Sequence, residues 1–233
     1  MSNFATGTAS LQMDRMYRWQ RHIYDFTRKP YLLGRDRMIA SLGVPQDGHV
    51  LEIGCGTGRN LVQAARLFPH GSFYGFDISG VMLETASQSI RQAGLEGRIK
   101  TALSDATDFN TKVLFGREQF DRVFISYSLS MIPGWRKTLE LAIDTLAPGG
   151  ALLIADFYNG RNIPAPLRAI LFTWLRMFGV FPRQNLQSVL LELAQERGLK
   201  LEFEPLYGGY AVWAMLRRPV VNTQTTLSAR KAA

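Results

Sequence analysis

The sequence predicts an α/β fold in which helices cover both faces of a doubly wound, mostly parallel sheet of seven strands. Short apolar runs alternate with helix-like segments along the chain. The first run leads into three glycines at every second position, Gly54, Gly56 and Gly58, and the second ends in an acidic residue, Asp77. A strand that passes through a glycine-rich turn into a helix is typical of a nucleotide-binding βαβ unit.

The strands are predicted from the apolar runs. Five parallel strands are expected at 49–53, 72–77, 98–103, 120–126 and 150–156, with Pro148-Gly149-Gly150 opening the fifth. Two later strands, 199–204 and 209–216, are expected to pair antiparallel at one edge of the sheet.

The helices are predicted between these strands from apolar residues at helical spacing. They are expected at 59–68, 80–93, 134–146 and 185–197, the last ending at Gly198. Ser79 is expected to cap the second helix, whose buried stripe is Met82, Leu83, Ala86 and Ile90.

Residues 1–38 are extra to this scaffold and are expected to form a helical arm over the active site. Tyr17, Tyr24 and Tyr31 recur every seven residues and are interleaved with Arg21 and Arg28. On a helix this spacing gives a strip of phenols and guanidiniums on one face. An amphipathic cover with snorkelling arginines is the alternative.

A second extra segment, 157–183, is expected to form a helical insertion before the last helix. Arg168 and Arg176 border a wide apolar stripe, and Phe172 is expected to point to the other side. The stripe is a piece of core, a lid, or an interfacial contact with a membrane. Its members are Leu167, Ile170, Leu171, Trp174, Leu175 and Phe178.

The net charge of +8 is unevenly placed along the chain. Residues 1–37 carry seven basic and three acidic side chains, and residues 157–183 carry four arginines and no acid, so each segment has a net charge of +4. The remaining residues carry 16 basic and 16 acidic side chains, so their charges cancel. This pattern favours an anionic partner, such as a membrane, a nucleic acid or a carboxylate substrate, over a solvated basic face.

The composition limits the remaining possibilities. Length and apolar content fit one domain over residues 1–218, and residues 219–233 are expected to be a disordered basic tail. Cys55 is the only cysteine, which excludes an internal disulfide, and the histidines are too widely spaced to suggest a metal site. No run of about 18 apolar residues and no secretory signal is visible, so a cytoplasmic protein is expected.

The glycine spacing separates two classes of nucleotide ligand. A dinucleotide fingerprint needs a third glycine where this chain has Arg59, and Gly58 comes one position early. The run Leu-Glu-Ile-Gly-Cys-Gly-Thr-Gly at 51–58 instead resembles the first motif of class I S-adenosylmethionine-dependent methyltransferases, which have a Rossmann-like sheet. Close approach of a methionine moiety would explain the glycines, and Asp77 would accept the ribose hydroxyls. A tight turn without a ligand is the alternative.

Longer stretches are similar to a narrower family, the bacterial diacylglyceryl-homoserine N-methyltransferases, which make betaine lipid. The matching stretches are Met16 to Asp25, Tyr31 to Asp36, Gly56 to Leu61, Ser126 to Pro133, Asp156-Phe157 and Tyr207 to Tyr210. The resemblance implies three methylations of a lipid amine, with S-adenosylmethionine as donor, S-adenosylhomocysteine as product and no metal. It also implies peripheral association with the inner membrane, and a partner enzyme that makes the unmethylated lipid.

The resemblance assigns residues to the cofactor, with Asp105 facing the adenine amino group. The expected cofactor-binding residues are Glu52, Gly54, Gly56, Gly58, Asn60, Asp77, Ile78, Met82, Asp105, Ala106 and Ser126.

The acceptor is assigned to tyrosines and arginines. Tyr24, Tyr31 or Tyr127 is expected to orient the amine, and their ring faces would hold the growing methylammonium. Arg21 or Arg35 is expected to bind the carboxylate, with Tyr17 and Tyr210 beside the substrate. Asp156 either holds the ammonium or caps a helix.

Other functions remain open on the sequence. A class I methyltransferase of a quinone or another amine would use the same cofactor motif, and a binding module without catalysis is a third possibility. Ser130-Met131 stand where many small-molecule relatives carry a histidine, so a histidine base is excluded there. Nucleic acid is not an expected partner, because the Asp/Asn-Pro-Pro-aromatic tetrapeptide of base-amino methyltransferases is missing.

Overall fold

The computed structural model describes residues 32–220. The predicted arm residues Tyr17, Arg21, Tyr24, Arg28 and Tyr31, and the predicted tail from residue 221 onward, therefore lie outside the described residues.

Seven strands form one sheet within the described residues, in the order β3-β2-β1-β4-β5-β7-β6. β1 pairs in parallel with β2 and β4, so the chain reverses its direction of winding between those two neighbours. In such a sheet the ligand crevice opens beyond the carboxyl ends of the strands at this point. The strands are β1 His49–Ile53, β2 Ser72–Asp77, β3 Ile99–Leu103, β4 Phe120–Ser126, β5 Leu146–Phe157, β6 Lys200–Leu206 and β7 Ala211–Arg217.

Helices connect these strands, and the predicted doubly wound, mostly parallel fold is confirmed. Two helices were not predicted as separate elements, the short α1 before β1 and the short α4 before β4. The helices are α1 Arg35–Ala40, α2 Arg59–Leu67, α3 Gly80–Gln92, α4 Thr111–Phe115, α5 Trp135–Asp144, α6 Ala165–Met177 and α7 Leu186–Arg197. The cap predicted for α3 is present, since Ser79 Oγ accepts the Met82 N–H at 3.3 Å.

β7 is antiparallel to both of its neighbours and lies between β5 and the edge strand β6. β5 begins at Leu146, four residues before the predicted start. Its pairing with β4 shifts register between Phe120 and Arg122, because the Pro148-Gly149-Gly150 segment adds residues to one strand only. The proline-glycine signal therefore marks an irregularity inside the strand and not its beginning.

The core consists of one apolar cluster on each face of the sheet. Phe76 and Phe120 are fully buried in one cluster, and Phe73 and Phe124 are fully buried in the other. With both faces of its central strands covered, the sheet is held firmly enough to fix the residues at its carboxyl edge.

α6 divides the predicted apolar stripe between two faces. The inner face packs on the core: Leu175 is buried, and Leu171, Phe172 and Phe178 are half-buried. The expectation that Phe172 points away from the stripe is therefore wrong. The outer face is exposed and consists of Leu167, Ile170, Trp174 and Met177. Within residues 32–220, no helix is long and apolar enough to cross a membrane.

Candidate active site

A cavity opens at the carboxyl ends of β1, β2 and β4. Its walls combine the glycine-rich turn after β1, the end of β2, the segment after β4 and the entrance to α1. The lining residues are Leu32, Arg35, Gly54, Cys55, Gly56, Thr57, Arg59, Asn60, Asp77, Met82, Ser126, Tyr127, Ser128 and Met131.

The glycine turn brings backbone close to this cavity. Gly54, Gly56 and Gly58 have φ values of 72°, 51° and 71°, which glycine adopts without strain. A side chain at Gly54 would lie 2.7 Å from Ser128, whereas one at Gly56 would meet no protein atom within 4 Å. The first glycine is therefore needed for packing, and the second leaves its face of the turn open to a ligand.

Asp77 fixes the turn to the end of β2. Its Oδ2 accepts the Gly56 N–H at 2.8 Å and its Oδ1 accepts the Ser79 N–H at 3.0 Å. The carboxylate thereby ties the turn to β2 at the wall of the cavity.

Arg35 is carried into the cavity by α1. Although charged, it is only 7% exposed, and burial followed by the charge of Arg59 lowers the pKa of its guanidinium. α1 is docked on the sheet by Arg37, whose guanidinium forms a bidentate pair with Glu204 and lies 5.5 Å from the centre of the Trp213 ring.

Polar atoms without a partner concentrate at this cavity. Among residues 32–220, seven buried side-chain nitrogen or oxygen atoms lack a hydrogen bond, and four of them belong to cavity residues. Arg35 Nε has only an ion-pair contact of 3.6 Å with Asp36. Buried polar groups are normally satisfied, so such a cluster indicates a polar ligand. The four atoms are Arg35 Nε, Arg59 Nη1, Asn60 Oδ1 and Ser126 Oγ.

Tyr127 follows β4 in an unusual backbone conformation. Its φ of 54° is rare for a residue with a side chain, and such strain is concentrated at functional sites. Its hydroxyl donates to the Leu33 carbonyl, and its ring packs edge-on against Phe157, with centroids 4.8 Å apart. Burial and the nearby Asp156 raise the pKa of the phenol, so Tyr127 is neutral near pH 7.

Glu52 lies beneath the turn and is fully buried. Its Oε1 accepts from Asn60 Nδ2 at 2.8 Å, and burial raises the pKa of its carboxyl well above the usual range. Glu52 supports the turn through Asn60 and does not line the cavity.

The turn of helix at Leu129–Met131, which brings Met131 to the cavity, is clamped from two sides. Asp156 of β5 accepts the Ser130 N–H at 3.0 Å. Arg183, beyond α6, donates to the Leu129 and Ile132 carbonyls at 3.2 and 2.6 Å. Burial raises the pKa of Asp156 to about 6.

The structure brings together about half of the residues predicted for the site. The cavity residues among them are Arg35, Gly54, Gly56, Asn60, Asp77, Met82, Ser126 and Tyr127. Those that do not line this cavity are Glu52, Gly58, Ile78, Asp105, Ala106, Asp156 and Tyr210. The predicted residues Tyr17, Arg21, Tyr24 and Tyr31 lie outside the described residues.

Residues that do not line the cavity have other contacts. Asp105 Oδ1 accepts from the backbone and hydroxyl of Thr107, both at 2.7 Å, in a local turn. Asp156 caps the helical turn at Ser130, which is the second of the two roles expected for it. Tyr210 packs behind Phe157, with ring centroids 5.6 Å apart.

Sequence reasoning did not assign Leu32, Thr57, Arg59 or Met131 to the site, although all four line the cavity. Arg59 was noted only for replacing a dinucleotide glycine. A basic residue directly after the glycine turn, at the first position of α2, was the available signal.

The residues present fit the cofactor that the sequence resemblance implies. The open face of the turn at Gly56 would take the methionine moiety, Asp77 the ribose hydroxyls, and a guanidinium the amino-acid carboxylate. In the described part of the chain, no group of three His, Cys, Asp or Glu side chains is placed to hold a metal ion.

Comparison with known proteins gives the family. The methyltransferase domain family matches residues 46–195. A ubiquinone/menaquinone biosynthesis C-methyltransferase of Geotalea daltonii is 26% identical over 146 residues, 60% of each chain. A 2-phytyl-1,4-naphtoquinone methyltransferase of Trichormus variabilis is 25% identical, over 78% of this chain and 74% of its own. The chain spans less than two thirds of the length of the first curated relatives that it matches.

Solved structures share the fold at low identity. An O-methyltransferase family protein from Burkholderia thailandensis aligns with a TM-score of 0.70 at 19% identity, over 91% of this chain and 64% of its own. Haemonchus contortus phosphoethanolamine N-methyltransferase 2 was solved with phosphomonomethylethanolamine and S-adenosylhomocysteine. It aligns with a TM-score of 0.64 at 19% identity, over 79% of this chain and 52% of its own. By its matched domain and its seven-stranded sheet, the chain belongs to the class I S-adenosylmethionine-dependent methyltransferases.

Proposed function

We propose that the chain transfers methyl groups from S-adenosylmethionine to the amine of a lipid whose head group carries both an amine and a carboxylate, diacylglyceryl-homoserine. The observation that carries this proposal is the pair of guanidiniums at the cavity, Arg35 and Arg59, each with a buried nitrogen that no described residue accepts from.

Two arginines at the cavity would bind two carboxylates, one on the cofactor and one on the acceptor. S-adenosylmethionine has one carboxylate, and Arg59, directly beyond the glycine turn, would bind it. Arg35 approaches from α1, and it lines the cavity together with Tyr127. A second carboxylate, on the acceptor, would satisfy Arg35 through a charge-assisted hydrogen bond.

The other lining residues suit an amine acceptor. Asp77 is the only carboxylate among the described residues that line the cavity, and both of its oxygens already accept backbone N–H groups. An amine needs positioning in its neutral form more than a strong base, whereas a hydroxyl has to lose its proton during attack. When bound, S-adenosylmethionine supplies an electrophilic methyl group on its sulfonium.

Tyr127 would position the amine as a hydrogen-bond acceptor. Its single proton is given to the Leu33 carbonyl, so its oxygen presents lone pairs to the cavity. With a raised pKa, the phenol keeps that proton and orients the amine without acting as a base.

Methyl transfer to a panel of detergent-dispersed acceptors tests the proposal. The purified chain is incubated with radiolabelled S-adenosylmethionine and diacylglyceryl-homoserine, phosphatidylethanolamine or a demethylated quinol. We expect label in the homoserine lipid and at least tenfold less in phosphatidylethanolamine, which has an amine but no carboxylate. Label in neither lipid amine contradicts the proposal, and equal label in both amines contradicts the role of Arg35.

The second candidate is C-methylation of a lipid quinol, and the quinone methyltransferases among the relatives favour it. Such a head group has no carboxylate for Arg35. Label confined to the quinol in the same panel would establish this candidate in place of the first.

The proposal also includes the expected partners. The lipid substrate would place the protein peripherally at the cytoplasmic face of the inner membrane, beside the enzyme that makes the unmethylated lipid. Co-purification of that enzyme from cells expressing both proteins tests the pairing.

A further inference from the structure

The outer face of α6 exposes large apolar side chains in a continuous row. Leu167, Ile170 and Met177 are 57%, 67% and 75% exposed, and Trp174 is 36% exposed with its ring packed edge-on against Phe178. Steps of three and four residues place all four on one side of the helix. Phe181, four residues after the end of the helix, is also exposed, at 52%.

The charges of this segment have one sign. Residues 157–183 contain four arginines and no acidic residue. Two of these arginines are exposed, Arg161 before α6 and Arg176 in its last turn. An apolar face with an aromatic residue and flanking cations is the composition of a helix that lies in the interface of an anionic membrane. A protein partner of matching size would need acidic groups at the positions of the arginines. An anionic membrane supplies lipid phosphates over its whole surface.

The row is also joined directly to the cavity. The Phe181 N–H donates to the Ser130 carbonyl at 2.9 Å, and Arg183 holds the carbonyls of Leu129 and Ile132. The same turn carries Met131 into the cavity wall. A surface that touches the bilayer here therefore lies beside the place where a lipid head group would have to enter.

We propose that the outer face of α6 docks on an anionic bilayer, with Leu167, Ile170, Trp174 and Met177 in the acyl boundary and Arg161 and Arg176 at the phosphates. The inference rests on the proposed function in one respect: the docking would bring an insoluble substrate to the cavity. The docking itself is independent of the reaction.

Vesicle flotation without any acceptor lipid tests the docking. The full chain is mixed with vesicles of phosphatidylcholine alone or with phosphatidylglycerol added. We expect binding to the anionic vesicles, weakened at least about tenfold by Ile170→Glu with Met177→Glu, because each loses the burial of a large side chain. Arg176→Glu should weaken binding at least about fivefold, and added salt should abolish that difference.

Val113→Glu is the matched control, since Val113 is 80% exposed on α4, remote from this face in the sequence. It should bind vesicles as the wild type does, and all variants should bind S-adenosylhomocysteine equally. Wild-type protein that ignores anionic vesicles, or an Ile170→Glu/Met177→Glu variant that binds them equally well, overturns the docking. A dimer that is lost in that variant would assign the face to a second copy of the chain and overturns it too.

The two proposals fail separately. Vesicle binding without methylation of dispersed diacylglyceryl-homoserine would retain the docking and reject the proposed function. Methylation of dispersed lipid without vesicle binding would retain the function and reject the docking.

Discussion

The two sides of the cavity are built in different ways. The side formed by β1 and β2 comes from a short stretch of chain, in which backbone groups of the glycine turn and the Asp77 carboxylate bind one another. The side formed by the end of β4 depends on remote residues. Tyr127 is held by Leu33, and the turn at Ser130 is held by Asp156 and Arg183.

This difference separates the binding of a common cofactor from the choice of a particular acceptor. A turn that contacts a common cofactor through its backbone needs only glycines and one acid, and it can remain unchanged among enzymes with different substrates. The β4 side is assembled from segments far apart in the chain, so it is the side where a change in one segment can alter the acceptor site. Substitutions on the first side should affect cofactor binding, and those on the second should affect the acceptor.

The largest expected effect is on the cofactor side. Asp77→Ala should raise the dissociation constant of S-adenosylhomocysteine roughly thirtyfold or more, because hydrogen bonds to a charged group contribute about 2 kcal/mol. Calorimetric titration measures it. Asp144→Ala is the control, since Asp144 pairs with Arg197 at the exposed surface. A change of less than about threefold in Asp77→Ala would show that this carboxylate does not contact the cofactor.

The next effect should fall on the acceptor. Arg35→Gln should lower kcat/KM for the carboxylate-bearing lipid roughly thirtyfold, the loss expected for one charge-assisted hydrogen bond. Its affinity for S-adenosylhomocysteine should stay within about threefold of the wild type. Arg91→Gln, the same change at an exposed arginine in the last turn of α3, should have little effect. A parallel loss of cofactor affinity in Arg35→Gln would assign this guanidinium to the cofactor instead.

A smaller effect is expected at Tyr127. Tyr127→Phe removes the hydrogen bond to Leu33 and the lone pairs offered to the amine, and it should lower kcat about fivefold. The pH dependence of kcat should keep its shape, because the phenol does not titrate near neutrality. Tyr74→Phe, at a buried tyrosine outside the cavity, is the control for stability. A shifted pH profile in Tyr127→Phe would mean that the phenol exchanges a proton during the reaction.

The smallest effect on activity is expected at Asp156, whose titration should change stability and leave cofactor affinity unchanged. The pKa of Asp156 is raised to about 6 in the folded protein, against about 4 in the unfolded chain. The folded state therefore holds the extra proton between these values, and stability should fall as pH rises from about 4 to about 6. Relative to Asp156→Asn, the wild type should lose a few degrees of melting temperature over that range. A constant difference between the two melting curves would contradict the raised pKa.

Much of the scaffold could be predicted because its signals are local. The five parallel strands and the main helices follow from apolar spacing, and Ser79 caps α3 as its position indicated. The start of β5 was wrong, because a proline-glycine pair that usually opens a strand here lies within a register shift. The stripe of α6 was ambiguous, because spacing shows which residues share a face and not what covers that face.

The candidate site was predictable to a lesser extent, and for a related reason. Glu52 was assigned to the cofactor from its motif, yet complete burial turns it toward Asn60. Arg59 was overlooked, because its place at the site becomes clear only when α1 brings the guanidinium of Arg35 close to it.

The sequence by itself determined the doubly wound sheet, the glycine turn and its acidic partner on β2, because backbone conformation and burial are set by neighbouring residues. Only the tertiary structure decided that Arg35 meets Arg59 at one cavity, that Asp156 and Arg183 hold the turn after β4, and that one face of α6 stays exposed. These contacts join residues far apart in the chain, and their geometry exists only once the sheet has brought its strands together.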